Sequence, residues 1–318
     1  MALADDAASA GIDIDEDGWI DLIVANDTVE NLLFHNKRNG TFEEIGKTAG
    51  LAFDPQGNAR GAMGIDAAYF RNDRRDLGVA IGNFSNQMSS MFVVQQKEPL
   101  QFADEAIATG FGPPGRLALK FGLFFFDYDL DGRQDIFTAN GHIENDISLI
   151  QKSQSYAQPA HLFWNCGRGS AAEFMLTSAM QSGNDLAKPI VGRGAAYADI
   201  DNDGDLDVLV TAIDDSPRLL RNDQNLGHHF LRLKLVGDGQ SCNRDAIGAW
   251  VSLEIGNQTM RQQVMPTRSY QSQVELPVTF GLGPAPKVGK VTITWPNGKH
   301  QDVTELRVDQ LNVVEQTP

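Results

Sequence analysis

Apolar residues along this chain fall in short runs, and where a period is visible it is two rather than 3.6. Leu22-Ile23-Val24-Ala25 and Leu32-Leu33-Phe34 are separated by polar turns, and the turn Arg38-Asn39-Gly40 leads into Thr41-Phe42-Glu43-Glu44-Ile45. Such spacing predicts an antiparallel meander of short strands. Leu123-Phe124-Phe125-Phe126 is too short for a helix and reads as a buried inner strand. From about Asn225 the alternation lengthens, through Phe230–Val236, Ala249–Ile255 and Val291–Trp295. The turn Pro296-Asn297-Gly298 should fold the last of these onto His300–Val303. The pattern predicts an all-β chain in two parts, a repeat region over 1–224 and a smaller β domain, sandwich or open barrel, over 225–318. No apolar run approaches the eighteen or so residues of a membrane span, so no transmembrane segment is expected.

Between predicted strands one pattern recurs. Asp13, Asp15, Asp17 and Asp21 bracket Gly18; Asp127, Asp129, Asp131 and Asp135 bracket Gly132; Asp199, Asp201, Asp203 and Asp207 bracket Gly204. Acids thus stand at positions one, three, five and nine of a short loop, with glycine at six. With 42 acids and 31 glycines in 318 residues, chance placement gives ~0.01 copies, so this is an internal repeat. Two carboxylates ~5 Å apart at an effective dielectric of ~20 repel by about 3 kcal/mol. A compact loop holding four of them therefore calls for a cation rather than a plain solvated turn. Ca²⁺ fits, since it takes six to eight oxygens at flexible angles. The carboxylates would be joined by the backbone carbonyl of position seven, which is Trp19, Arg133 or Asp205. About three Ca²⁺ sites follow. An EF-hand would need a bidentate Glu at position twelve and flanking helices; Val24, Thr138 and Val210 stand there, inside β-branched runs.

A second unit, between the first acidic loop and Asp127, keeps the frame but not the acids. Asp66-Ala67-Ala68-Tyr69 matches Gly194-Ala195-Ala196-Tyr197, yet the turn reads Arg71-Asn72-Asp73-Arg74-Arg75-Asp76. No metal is expected there, and the guanidinium groups should act as the local cation. In the third unit Gly141-His142-Ile143 opens a polar connection reaching about Gln158. Connections of that length tend to be functional or mobile; His142 itself reads as a turn cap rather than a ligand. Unit starts at 13, 71, 127 and 199 lie 58, 56 and 72 residues apart. Four-stranded units of this size predict β-propeller blades, about four here and part of a larger propeller.

Charge sharpens the picture. The formal net charge is −16, and the three loops hold 14 acids counting Glu16 and Asp205, so the acidity is local. Such a chain repels phosphate backbones, which argues against a nucleic-acid partner. Cys166 and Cys242 are the only cysteines and read as separate thiols, with no disulfide scaffold or zinc site. The N-terminus has no basic segment followed by an apolar core, so no signal peptide is read there. The repeat pattern begins in mid-stride at Asp13, as in a piece of something longer.

These residues resemble the FG-GAP/VCBS repeats of integrin-α-like propellers. Leu33-Phe34-His35-Asn36, Asn39-Gly40-Thr41-Phe42 and Ala139-Asn140-Gly141-His142 strengthen the likeness. The C-terminal block resembles the ASPIC/UnbV domain through Asn243–Ala249, Tyr270-Gln271-Ser272-Gln273, Phe280-Gly281-Leu282-Gly283 and Trp295-Pro296-Asn297-Gly298. The resemblance implies an extracellular or periplasmic calcium-binding propeller used in adhesion or recognition, not an enzyme, with the acidic-loop residues as metal ligands. Two departures stand out: the second loop lacks the acids, and a turn assigned to the fourth unit reads Asn165-Cys166-Gly167-Arg168-Gly169-Ser170.

Two functions are therefore weighed. The first is a non-catalytic module whose calcium-stapled loops meet a protein or glycan ligand. The alternative is a polysaccharide lyase or hydrolase on a propeller scaffold, which needs convergent acid–base groups. The six histidines show no metal or triad spacing, and neither a Gly-x-Ser-x-Gly nor a His-Glu-x-x-His segment occurs. The first reading is preferred.

Overall fold

A computed structural model describes residues 8–73 and 76–317. Four antiparallel meanders come first, each in chain order. The first holds β1 (Ala8–Ile12), β2 (Asp21–Ala25), β3 (Leu32–Asn36) and β4 (Phe42–Glu44). The second holds β5 (Ala62–Arg71), β6 (Asp76–Asn83), β7 (Ser90–Lys97) and β8 (Leu100–Asp104). In the third lie β9 (Lys120–Phe126), β10 (Asp135–Asn140), β11 (His161–Asn165) and β12 (Phe174–Leu176). The fourth has β13 (Gly192–Ala198), β14 (Asp207–Ala212) and β15 (Arg218–Leu220). These are propeller blades, and each acidic loop is the turn from a blade's first strand to its second.

The run Leu123–Phe126 shows why the blades stack. As a strand it sends alternate side chains to opposite faces. Leu123 and Phe125 join Phe70, Met91 and Phe163 in the core against the second blade, while Phe124 and Phe126 join Phe137, Val208 and Val210 in the core against the fourth. All four are buried, each worth about 1.5–3 kcal/mol of burial. Inner strands approach to backbone contact. A side chain at Gly64 of β5 would strike the carbonyl of Phe121 on β9, and one at Gly122 would meet Ala195 of β13 at 2.8 Å.

Two expectations change. Among the described residues the fourth blade has three strands rather than four: after Leu220 the chain runs Arg221-Asn222-Asp223-Gln224-Asn225, with no apolar alternation to build an outer strand. The turn at Asn165–Ser170 belongs to the third blade, where it joins β11 to β12. The long connection after His142 is pinned rather than loose, because Gln158 Oε1 accepts the Leu119 N–H at 2.9 Å. His142 caps its turn, with Nδ1 accepting the Glu144 N–H at 3.0 Å. Both cysteines are free.

The remaining chain supplies β16 (His229–Val236), β17 (Trp250–Ile255), β18 (Gln258–Gln263), β19 (Thr267–Arg268) and β20 (Ser272–Gln273). After these come β21 (Val278–Gly283), β22 (Lys290–Thr294), β23 (His300–Val303) and β24 (Leu311–Glu315). Sheets in the orders β21-β16-β24 and β18-β17-β22-β23 share one core, with Leu231, Leu233 and Phe280 meeting Val251, Leu253, Val291 and Ile293. This is a sandwich. The β19–β20 hairpin leaves it and enters the hub of the blades, with β19 against β1 and β20 against β13. At its tip Ser269 exchanges backbone hydrogen bonds with Ile65 at 3.1 and 3.4 Å, and Ser269 Oγ accepts the Leu123 N–H at 2.9 Å. Arg268 Nη1 pairs with the buried Asp66 carboxylate at 2.9 and 3.0 Å.

Candidate metal loops

The first two acidic loops fold as tight wraps around their first carboxylate, and all three are tied at their last one. Asp13 accepts the N–H groups of Asp17 and Gly18 at 2.9 and 3.0 Å. Asp127 does the same for Asp131 and Gly132 at 3.1 and 2.8 Å. Position six needs φ near +90° (Gly18 89°, Gly132 91°, Gly204 101°), which glycine takes without a Cβ clash. Position nine ties the loop to its blade by two backbone donors. Asp21 takes the N–H of Ile14 and Asn36, Asp135 that of Tyr128 and Asn165, and Asp207 that of Ile200 and Asn222. Asn36, Asn165 and Asn222 stand at or just beyond the end of each blade's third strand; that recurrence was a signal the sequence reading passed over.

Four groups of side chains bring ligand atoms within 4.8 Å of one another: Asp13, Asp15 and Asp21; Asp15, Asp17 and His35; Asp127, Asp129 and Asp135; Asp199, Asp201 and Asp203. His35, which pattern reading left out, places Nδ1 3.0 Å from Asp21 Oδ1. Asp131 and Asp207 stay outside these groups. Asp131 is turned to Arg133, and Asp207 is held by its two backbone donors. Of the position-seven residues, Trp19 has an exposed side chain, Arg133 donates to Asn165 O at 2.7 Å, and Asp205 is buried.

Burial and like charge leave these carboxylates unsettled. Burial raises Asp13 to about 6, and it lifts Asp127 and Asp135 well above the carboxylate range, with Asp129 and its neighbours adding to both. Asp205 rises to about 8, mainly by burial and then by Asp203. Of the buried oxygens that lack a hydrogen-bond partner among the described residues, three are on acidic-loop carboxylates: Asp129 Oδ1, Asp199 Oδ1 and Asp205 Oδ1. A buried unpaired carboxylate oxygen is costly unless a cation or donor meets it. An all-oxygen donor set of this kind suits a hard divalent ion. The residues present fit such an ion.

The second blade's turn is built differently. Arg71, largely buried, sends Nη2 to Glu173 and Glu105 at 2.7 and 2.8 Å and Nη1 to Asp76 at 3.1 Å. The guanidinium does act as a local cation there, while Arg74 and Arg75 lie outside the described residues.

A cleft of about 530 Å³ opens between the third and fourth blades, floored by Phe126, Phe137, Leu162 and Val208. Asp185 and Asp223 on its rim are ion-paired with Lys188 and Arg221.

Residues 13–76 match the FG-GAP-like repeat and residues 239–318 match ASPIC and UnbV. Mouse cartilage acidic protein 1 is 25% identical over 315 residues, covering 94% of this chain and 45% of that protein. The chain thus spans less than half the length of the curated relatives it matches. Among solved structures, an Agrocybe aegerita lectin aligns over 69% of this chain and 66% of its own at TM-score 0.29 and 16% identity. A Bombyx mori GH32 β-fructofuranosidase aligns over 100% and 66% at TM-score 0.35 and 11% identity. Similarity at that level carries no argument about this chain. No helix among the described residues is long and apolar enough to cross a membrane. By the two family matches, residues 13–76 are similar to an FG-GAP-like repeat and residues 239–318 to ASPIC and UnbV.

Proposed function

We propose that this protein is a calcium-binding, non-catalytic recognition module, extracellular or periplasmic, that meets a protein or glycan ligand. In this reading the repeat region 1–224 is one domain and 225–318 the other. Asp13, Asp15, Asp17 and Asp21, then Asp127, Asp129, Asp131 and Asp135, then Asp199, Asp201, Asp203 and Asp207 hold about three ions, helped by position-seven carbonyls. The observation that carries it is the convergence of three buried carboxylates, Asp127, Asp129 and Asp135, with ligand atoms within 4.8 Å of one another. Recognition rather than catalysis is supported by the cleft between the third and fourth blades, whose acids Asp185 and Asp223 are already paired with Lys188 and Arg221.

Sites with Kd ~10⁻⁴–10⁻³ M fill at extracellular calcium levels. At roughly tenfold excess over Kd each filled site adds about 1.4 kcal/mol. Calcium titration of the full chain should therefore register about three ions, and EDTA should lower the melting temperature by roughly 10 °C. A folded protein that takes up no calcium and melts unchanged in EDTA sinks the reading.

A further inference from the structure

Each acidic loop is also a seat for the C-terminal sandwich. In the first, Glu16 pairs with Arg261 of β18 at 2.9 Å. In the second, Leu130 is buried and its carbonyl accepts the Gly283 N–H at 2.9 Å. His228 Nδ1 lies 2.7 Å from the carbonyl of Asp129, and Gly281 presses so close to Asp127 Oδ2 that no side chain would fit. In the third, the Phe230 ring covers Gly204, and the buried Arg232 guanidinium pairs with Asp199 Oδ2 while gripping Glu275 at 2.7 and 2.8 Å. Asp199 thus gives one oxygen to the sandwich and leaves the other, Oδ1, unpartnered beside Asp201 and Asp203.

Two of these contacts, at Glu16 and Leu130, come from residues in the left-handed backbone region. Glu16, Leu130 and Asn202, each at position four, have φ of 63°, 57° and 64°. Non-glycine residues take that conformation where surrounding structure imposes it. Two of these three residues are the ones that touch the sandwich.

We propose that cations in the three loops hold the sandwich against the blades, so that docking of the two parts is linked to calcium. The inference rests on the metal reading above. Without a cation the carboxylates repel and the wraps loosen, which moves Glu16, the Asp129 and Leu130 carbonyls and Gly204, the points where the sandwich lands. The coupling runs both ways: a docked sandwich fixes the wraps in their closed form and tightens cation uptake. The hairpin in the hub, anchored by Arg268 and Asp66, keeps the parts tethered when the loops let go.

Hydrogen exchange of the full chain in calcium and in EDTA tests this. The seam amides are Gly283, Thr259 and Glu275, bonded to the carbonyls of Leu130, Asn72 and Tyr197. They should exchange at least tenfold faster in EDTA, with the core amides of β17 unchanged. Unchanged seam amides in a protein that calorimetry shows to bind calcium overturn the coupling and leave the metal reading standing. No calcium uptake at all overturns both. Phe230→Ala provides a second readout, because it uncovers Gly204 and leaves every carboxylate in place. Its calcium affinity at the Asp199–Asp207 loop should fall about fivefold, and an unaltered isotherm overturns the proposal.

Discussion

The second and third blades make the same turn in opposite ways. Between β9 and β10 three carboxylates, Asp127, Asp129 and Asp135, converge, with the fourth, Asp131, turned to Arg133. Between β5 and β6 a single guanidinium, Arg71, gathers Glu173, Glu105 and Asp76. The two turns touch, since Asn72 Nδ2 donates to the carbonyl of Gly132 at 2.6 Å. Positive charge is what this end of a blade requires; which species supplies it is open. A guanidinium is part of the chain and present in every medium. A divalent ion is exchangeable, so on the proposed calcium reading the third blade would carry a dependence on its surroundings that the second lacks.

The sharpest way to break this contrast is Arg71→Met. Three carboxylates would lose this guanidinium, and removing one side of a buried ion pair destabilises by about 3–5 kcal/mol. Urea denaturation should show that loss equally in calcium and in EDTA. If added calcium restores the stability, the second turn is a metal site after all.

A smaller effect sharpens the metal side. In the calcium-free protein Asp13 sits at about 6 against an ordinary 3.8, raised by burial. Asp127 and Asp135 are raised in the same direction. A raised carboxylate binds more protons folded than unfolded, so stability falls as pH climbs from about 4 through about 6. Melts in EDTA should therefore be higher near pH 5 than at pH 7. Calcium, which binds the ionised form, should remove that trend. A calcium-free melt that rises steadily from pH 5 to 7 contradicts the burial of these groups.

The smallest effect separates one loop from another. Gly18→Ala meets open space and pays only for its φ of 89°, about 1 kcal/mol. Gly204→Ala at φ 101° would also collide with Phe230 and should lose several times more. Equal losses in thermal melts would mean that the ring does not rest on the loop.

The parts of this molecule that were legible in sequence are those whose cause is local. Alternation located the strands, and the Asp and Gly spacing located three turns, because nine adjacent residues carry the whole pattern. Arg71 was read as a cation, yet its partner Glu173 stands 102 residues away and carries no mark of that role. His35 looked like an ordinary strand residue until folding set it beside Asp21. The seating of the sandwich on the loops was invisible for the same reason. Gly281 and Gly283 sit in a motif, but what they press against is fixed by tertiary arrangement alone. The missing strand of the fourth blade could have been read from the polar run at 221–225, had the repeat been counted strand by strand.

The hairpin that enters the hub bears on how the chain is made. Asp66 is wholly buried, and its partner Arg268 follows 202 residues later. During synthesis the blades emerge first and wait, with a carboxylate at their axle and no guanidinium to receive it. A ribosome paused anywhere in between leaves the Asp66 carboxylate of the blades without the Arg268 guanidinium that meets it in the finished fold.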